Sequence, residues 1–162
     1  MRRRQLLPFV AAALAGCGFE LRRAPQLPFR SIALVGFSPQ SVLAQALRAE
    51  LRDGQVQLLD APASAQVVFE ALTDARERSV VASTAAGQVR EVQLRVRLRF
   101  RVATPSGKQL LPVDELLLSR DMSYSETAAL AKAQEEALLY RAMDEDIVGQ
   151  VMRRLAAIAP TI

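Results

Sequence analysis

The chain has 162 residues, 21 of them basic and 17 acidic, with 51% hydrophobic and 23% charged side chains, enough for one domain with its own core. It contains no His, no Trp and a single Cys, which excludes Ser-His and Cys-His nucleophile pairs, the usual His metal ligands and an intrachain disulfide. Arg2, Arg3 and Arg4 belong to a segment expected to be removed; taking them from the 21 leaves 18 basic against 17 acidic residues, a near-neutral balance that argues against a nucleic-acid binder.

The N-terminus reads as an address. Arg2-Arg3-Arg4 is followed by the short apolar run Leu6 to Leu14 and then by Leu14-Ala15-Gly16-Cys17. This is the layout of a secretory signal, and the run is too short to span a bilayer. Residues 1–16 are therefore expected to be cleaved. Leu14-Ala15-Gly16-Cys17 is also similar to the lipobox of bacterial lipoproteins, a resemblance that implies lipid attachment to Cys17; the other reading is a short soluble-export signal in which Cys17 is incidental. Residues 17–30, with Pro25 and Pro28, read as a tether, and 31–162 as a single domain.

Ser31 to Phe37 is a short apolar strand. Pro39 and Ser41 open a helix with Val42, Leu43, Ala46, Leu47 and Leu51 on its apolar side, closed by Asp53-Gly54. Val56 to Leu59 is a second strand, so the first thirty residues of the domain read as a βαβ unit. Gln66 to Leu72 and Ser79 to Ser83 are strand-like, with the charged Asp74 to Arg78 between them as a bulge or bend in one long strand. Thr84 to Gly87 and Thr104 to Gly107 are turns.

Between those turns lies the most regular stretch. Val92, Leu94, Val96, Leu98, Phe100 and Val102 alternate with Gln93, Arg95, Arg97, Arg99 and Arg101. Successive side chains of a strand point to opposite faces, so this strand has one dry and one charged face. A further strand runs from about Gln109 to Met122, with Pro112 favouring an edge or a bulge. Ser123-x-x-Glu126 fits a capping box at the start of a long helix. Its stripe is Leu130, Ala133, Ala137, Tyr140, Ile147, Val148, Val151, Leu155 and Ile158, interrupted by Asp144. A second apolar set, Leu138, Ala142 and Met152, lies off that stripe and is either partly exposed or covered by another protein. The expected fold is α+β: a βαβ unit, an antiparallel meander and a long C-terminal helix, with two helices packed on one face of a mixed sheet.

The carboxylates at Glu135, Glu136, Asp144, Glu145 and Asp146 sit where acids make a solvated helix face. There is no Gly-rich phosphate loop, HExxH or GxSxG. No enzyme, metal or cofactor is expected. The row Arg95, Arg97, Arg99, Arg101 repels itself unless something negative lies across it. Two answers stand: acids on neighbouring strands, from among Glu70, Asp74, Glu77, Glu115 and Asp121, or an anionic ligand.

The chain resembles the LptE family of lipopolysaccharide-assembly lipoproteins. The resemblance rests on Leu14-Ala-Gly-Cys17, which is similar to a lipobox, on Cys17-Gly-Phe-Glu-Leu-Arg22 after it, and on the βαβ start. It continues through Gly87-Gln-Val-Arg-Glu-Val-Gln-Leu94, Arg120, Ala129-Leu-Ala-Lys-Ala-Gln-Glu-Glu136, Met143 and Arg153-Arg154-Leu155. It implies diacylglycerol on the Cys17 sulfur, an outer-membrane location, and a non-catalytic plug inside an LptD-like β-barrel that it helps assemble. It further implies contact with lipopolysaccharide, whose phosphates suit the arginine row, and a lipid contact at Lys132. One departure is the uncharged turn Thr84-Ala85-Ala86-Gly87, where members often carry a basic residue. A rival reading is a lipid-anchored auxiliary or substrate-binding subunit of an envelope transporter.

Overall fold

A computed structural model describes residues 26–159; Cys17 and residues 1–16 lie outside them. The order is β1 (Ser31–Val35), α1 (Val42–Asp53), β2 (Gln57–Leu58), β3 (Val67–Ser83), β4 (Val89–Ala103), β5 (Gln109–Ser123) and α2 (Ala129–Ala156). Short 3-10 turns at Pro62–Ser64 and Glu126–Ala128 precede β3 and α2. The five strands form one mixed sheet in the order β2-β1-β3-β4-β5. β1 is parallel to both β2 and β3, while β3, β4 and β5 are antiparallel. This is the expected βαβ unit, meander and C-terminal helix.

Local chemistry explains most boundaries. Ser41 caps α1, its Oγ accepting from the Ala44 N–H at 2.9 Å. α1 ends at Asp53, but the residue with positive φ is Gln55 (φ 60°), not Gly54. The turns after β3 and β4 are built alike. Thr84 and Thr104 accept the N–H of Gln88 and Lys108 on Oγ1, at 3.1 and 3.0 Å, and Gly87 and Gly107 take positive φ.

β3 is one long strand with a bulge, as expected, but the bulge precedes the charged stretch. The register against β4 shifts between Ala71 and Thr73, leaving Leu72 unmatched. Val67, Phe69 and Ala71 face the helices before the shift. Beyond it the helix-facing residues are Asp74, Arg76 and Arg78, opposite Leu98, Val96 and Leu94. β5 is the other edge strand, and Pro112 falls in its own register shift, between Leu111 and Asp114.

The core lies between the sheet and the two helices. Val92, Leu94, Val96, Leu98, Phe100 and Val102 are all fully buried, as the alternation of β4 predicts. Leu43, Leu47 and Leu51 of α1 and Met143, Ile147, Val151 and Leu155 of α2 cover them. The rings of Phe37, Phe69 and Phe100 stack in series at 5.8 and 4.8 Å. Phe29, within the tether segment, is buried in this core. Among the described residues the buried apolar side chains form one cluster that runs from Phe29 to Ile158.

Two expectations for α2 are corrected. Its N-cap is Ala128 without a side-chain cap bond, so Ser123 and Glu126 form no capping box. Ser123 ends β5, and its Oγ accepts from Lys132 Nζ at 3.0 Å instead. Leu130, Ala133 and Ala137, expected on the covered stripe, are exposed, whereas Met152, expected off it, is buried. The reason is that the first half of the helix lies over charged rather than apolar residues of β3. Its contacts there are polar: Glu136 with Arg78 at 3.2 Å, and Tyr140 Oη donating to the Glu77 carbonyl at 2.9 Å.

Candidate functional site

Gln93, Arg95, Arg97, Arg99 and Arg101 occupy the face of the sheet opposite the buried apolar set of β4. In register on β3 are Ser79, Glu77, Ala75, Thr73 and Glu70. On β5, Asp121, Ser119, Leu117 and Glu115 lie opposite Gln93, Arg95, Arg97 and Arg99. The cross-strand pairing open to the arginines is only partly used. Arg101 pairs with Glu70 at 2.6 Å. Arg95 Nε donates to Gln93 Oε1 at 2.7 Å, and Gln93 Nε2 donates to Asp121 Oδ1 at 2.8 Å, so Asp121 reaches the row through an amide.

Arg95, Arg97 and Arg99 make no ion pair among the described residues. Arg97 stands between Ala75 and Leu117, neither of which can accept from it, and its Nε is buried without a partner. Glu77 and Glu115 are placed opposite Arg95 and Arg99 without closing to an ion pair. Asp74 is on the other face, opposite Leu98, because the bulge at Leu72 moves it there. The face thus holds three guanidinium groups with unspent N–H donors in a strand-spaced row, the arrangement that receives phosphate oxygens in paired hydrogen bonds.

Lys132 is not part of this row. Its Nζ lies against Ser123 Oγ and Glu135 Oε2, at 3.0 and 2.8 Å, near the start of α2. Ser123 is opposite Glu91 on β4, four residues before Arg95.

On the helix side, sequence reasoning missed an ion pair. Arg76 Nη2 donates to Asp144 Oδ2, and the Arg76 guanidinium lies 5.4 Å from the centre of the Tyr140 ring. The Asp144 side chain is only 5% exposed, and burial holds its carboxyl above the ordinary range while Arg76 draws it down. Burial, and secondarily Glu136, raises the Tyr140 hydroxyl. Arg120 with Asp146 at 3.6 Å and Arg154 with Asp114 at 2.7 Å continue the series of sheet-to-helix pairs. The only sequence signal was the acid within the apolar stripe, which asks for a cation facing it.

Among the described residues no group of three or more His, Cys, Asp or Glu is placed to hold a metal ion, and no helix is long and apolar enough to cross a membrane. Residues 29–155 match the family model described as LptE, lipopolysaccharide-assembly. The chain is 29% identical over 147 residues to the LPS-assembly lipoprotein LptE of Pectobacterium atrosepticum, covering 89% of this chain and 79% of that one. It is 26% identical over 157 residues to the protein of the same name from Photorhabdus laumondii, covering 94% and 84%. The solution structure of lipoprotein B from Nitrosomonas europaea superposes with a TM-score of 0.72 at 25% identity, covering 86% of this chain and 91% of that one. The rare lipoprotein B of Shewanella oneidensis does so with a TM-score of 0.64 at 28% identity, covering 78% and 94%. With most of its length matched in sequence and in fold, this chain belongs to the LptE family of lipopolysaccharide-assembly lipoproteins.

Proposed function

We propose that this chain is an outer-membrane lipoprotein, anchored through Cys17, that plugs an LptD-like β-barrel, helps it assemble, and contacts lipopolysaccharide without catalysing a reaction. The observation that carries the lipid contact is the row Arg95, Arg97, Arg99 on a sheet face that neither helix covers, with no carboxylate closing on it among the described residues. Arg101 is partly spent on Glu70 and extends the row at lower strength. Lys132 contributes at the far end of the sheet, where its charge is shared with Glu135. The large barrels enclose a polar lumen, and a charged, twisted sheet face with an ion-paired helix on its other side is suited to such surroundings.

The test is purification of the tagged, lipidated protein from membranes in detergent. The barrel should come with it, and mass spectrometry should find an acylated N-terminal Cys17; more than one chain is needed for stable anchoring. Recovery without a barrel favours the auxiliary-subunit reading, and an unmodified N-terminal cysteine contradicts the anchor.

A further inference from the structure

We propose that the first half of α2, residues 129–142, is a lid held on the sheet by polar contacts, and that its opening exposes a site for an acyl chain carrying a phosphate head. The ligand class rests on the reading that the protein handles lipopolysaccharide; the lid does not.

The two halves of α2 are held differently. From Met143 onward the helix buries Met143, Asp144, Ile147, Val148, Val151, Met152 and Leu155. Before Met143 it buries no residue, and Leu130 and Leu138 are 78% and 61% exposed. Leu139 and Tyr140 are half-buried against the core. The remaining ties are Lys132 to Ser123, Glu136 to Arg78, Tyr140 Oη to the Glu77 carbonyl, and the Arg76 guanidinium over the Tyr140 ring. Such half-exposed polar contacts are each weak and, where charged, screened by salt. The start of the helix has no side-chain cap and no acid in its first turn, and only backbone bonds of the short turn Glu126–Ala128 precede it. Local opening is drawn from segments of this kind, with few buried apolar contacts.

What the lid covers has a definite chemistry. These ties place residues 132–140 over the end of the sheet where Val92, Leu94 and Met122 face the helix, all buried. Leu94 has Arg78 on one side, across β3, and Arg120 on the other, across β5. Lifting the lid frees Arg78 from Glu136 and leaves an apolar strip with that guanidinium on one side and Arg120, still 3.6 Å from Asp146, on the other. An acyl chain fits the strip and a phosphate meets the arginines.

The test uses the mature chain, residues 17–162. Native-state hydrogen exchange should show amides of 129–142 exchanging at least about tenfold faster than those of 143–156. The variant Tyr140→Phe, which removes one tie of the lid and leaves Arg78 and Arg120 with their partners, should raise that opening further. Ligand that enters only the open form binds in proportion to its population. Affinity for lipopolysaccharide and for phosphatidic acid, measured separately, should therefore rise by the same factor as the opening. A rise for both assigns the site to acylated phosphates in general, and a rise for lipopolysaccharide alone to that lipid. Uniform exchange along α2 overturns the lid. Faster opening with neither affinity changed overturns the site. Wild-type protein that binds no lipopolysaccharide, while binding of phosphatidic acid tracks the opening, leaves lid and site standing and overturns the functional reading.

Discussion

Asp144 interrupts the apolar stripe of α2 because its partner comes from the sheet rather than from the helix. Arg76 is brought beneath it by the bulge at Leu72, which exchanges the faces of Thr73 to Val80 in β3. Sequence alternation read across that bulge puts Arg76 and Arg78 on the wrong side, so the pair was hidden while its acid was visible. The energetics are asymmetric. Arg76→Ala leaves a buried carboxylate alone and should cost about 2 kcal/mol or more, below the range of fully buried pairs because Arg76 is partly exposed. Asp144→Asn removes the buried charge and leaves an arginine that reaches water, and should cost less than about 1 kcal/mol. Chemical denaturation of both variants at neutral pH measures the difference. The Asp144 carboxyl is held above its ordinary value, so folding takes up a proton here. The contribution of this group is full below the ordinary carboxylate range and is lost as pH rises through the raised folded value. Asp144→Asn should flatten that part of the stability profile.

At the level of elements, β4 was the most legible because its period of two runs unbroken through six apolar and five polar positions, all of which fall as the pattern requires. Leu98→Asp puts a charge without a partner into the fully buried face and should cost about 3 kcal/mol or more. Arg97→Glu, between Ala75 and Leu117 on the open face, should change stability by less than about 1 kcal/mol. Thermal melts of the two variants settle the assignment of faces, and equal destabilisation would reverse it. The end of β1 offers a second contrast. Gly36 has φ 82°, and a Cβ there would lie 2.1 Å from the Ala71 carbonyl oxygen, beside the bulge. Gly87, also at positive φ, has open space around it. Gly36→Ala should prevent stable folding, whereas Gly87→Ala should cost about 1 kcal/mol. The start of α2 was misread for the opposite reason to β4. Ser123 and Glu126 satisfy the capping pattern as letters, but pairing with Glu91 keeps Ser123 in β5, and the helix begins six residues later.

For the whole molecule, connection lengths and periodicity were enough to give the order of layers: a parallel βαβ start, two tight Thr-to-Gly turns joining an antiparallel meander, and a helix returning over the dry face. Long-range partners were not legible. Whether Arg95, Arg97 and Arg99 are spent on neighbouring acids depends on side-chain geometry across three strands, and register alone places Glu77 and Glu115 opposite them. The central claim is that this row meets the phosphates of lipopolysaccharide. The triple variant Arg95→Gln, Arg97→Gln, Arg99→Gln keeps hydrogen-bonding capacity and removes the charge. Each charged hydrogen bond lost is worth about 1.5–3 kcal/mol at most. The measurement is lipopolysaccharide affinity and melting temperature on this one variant of residues 17–162, with the wild type titrated in salt. The account predicts affinity at least about tenfold weaker than wild type, a wild-type affinity that falls as salt rises, and a melting temperature within a few degrees of wild type. A variant that melts lower and binds lipopolysaccharide normally would contradict it.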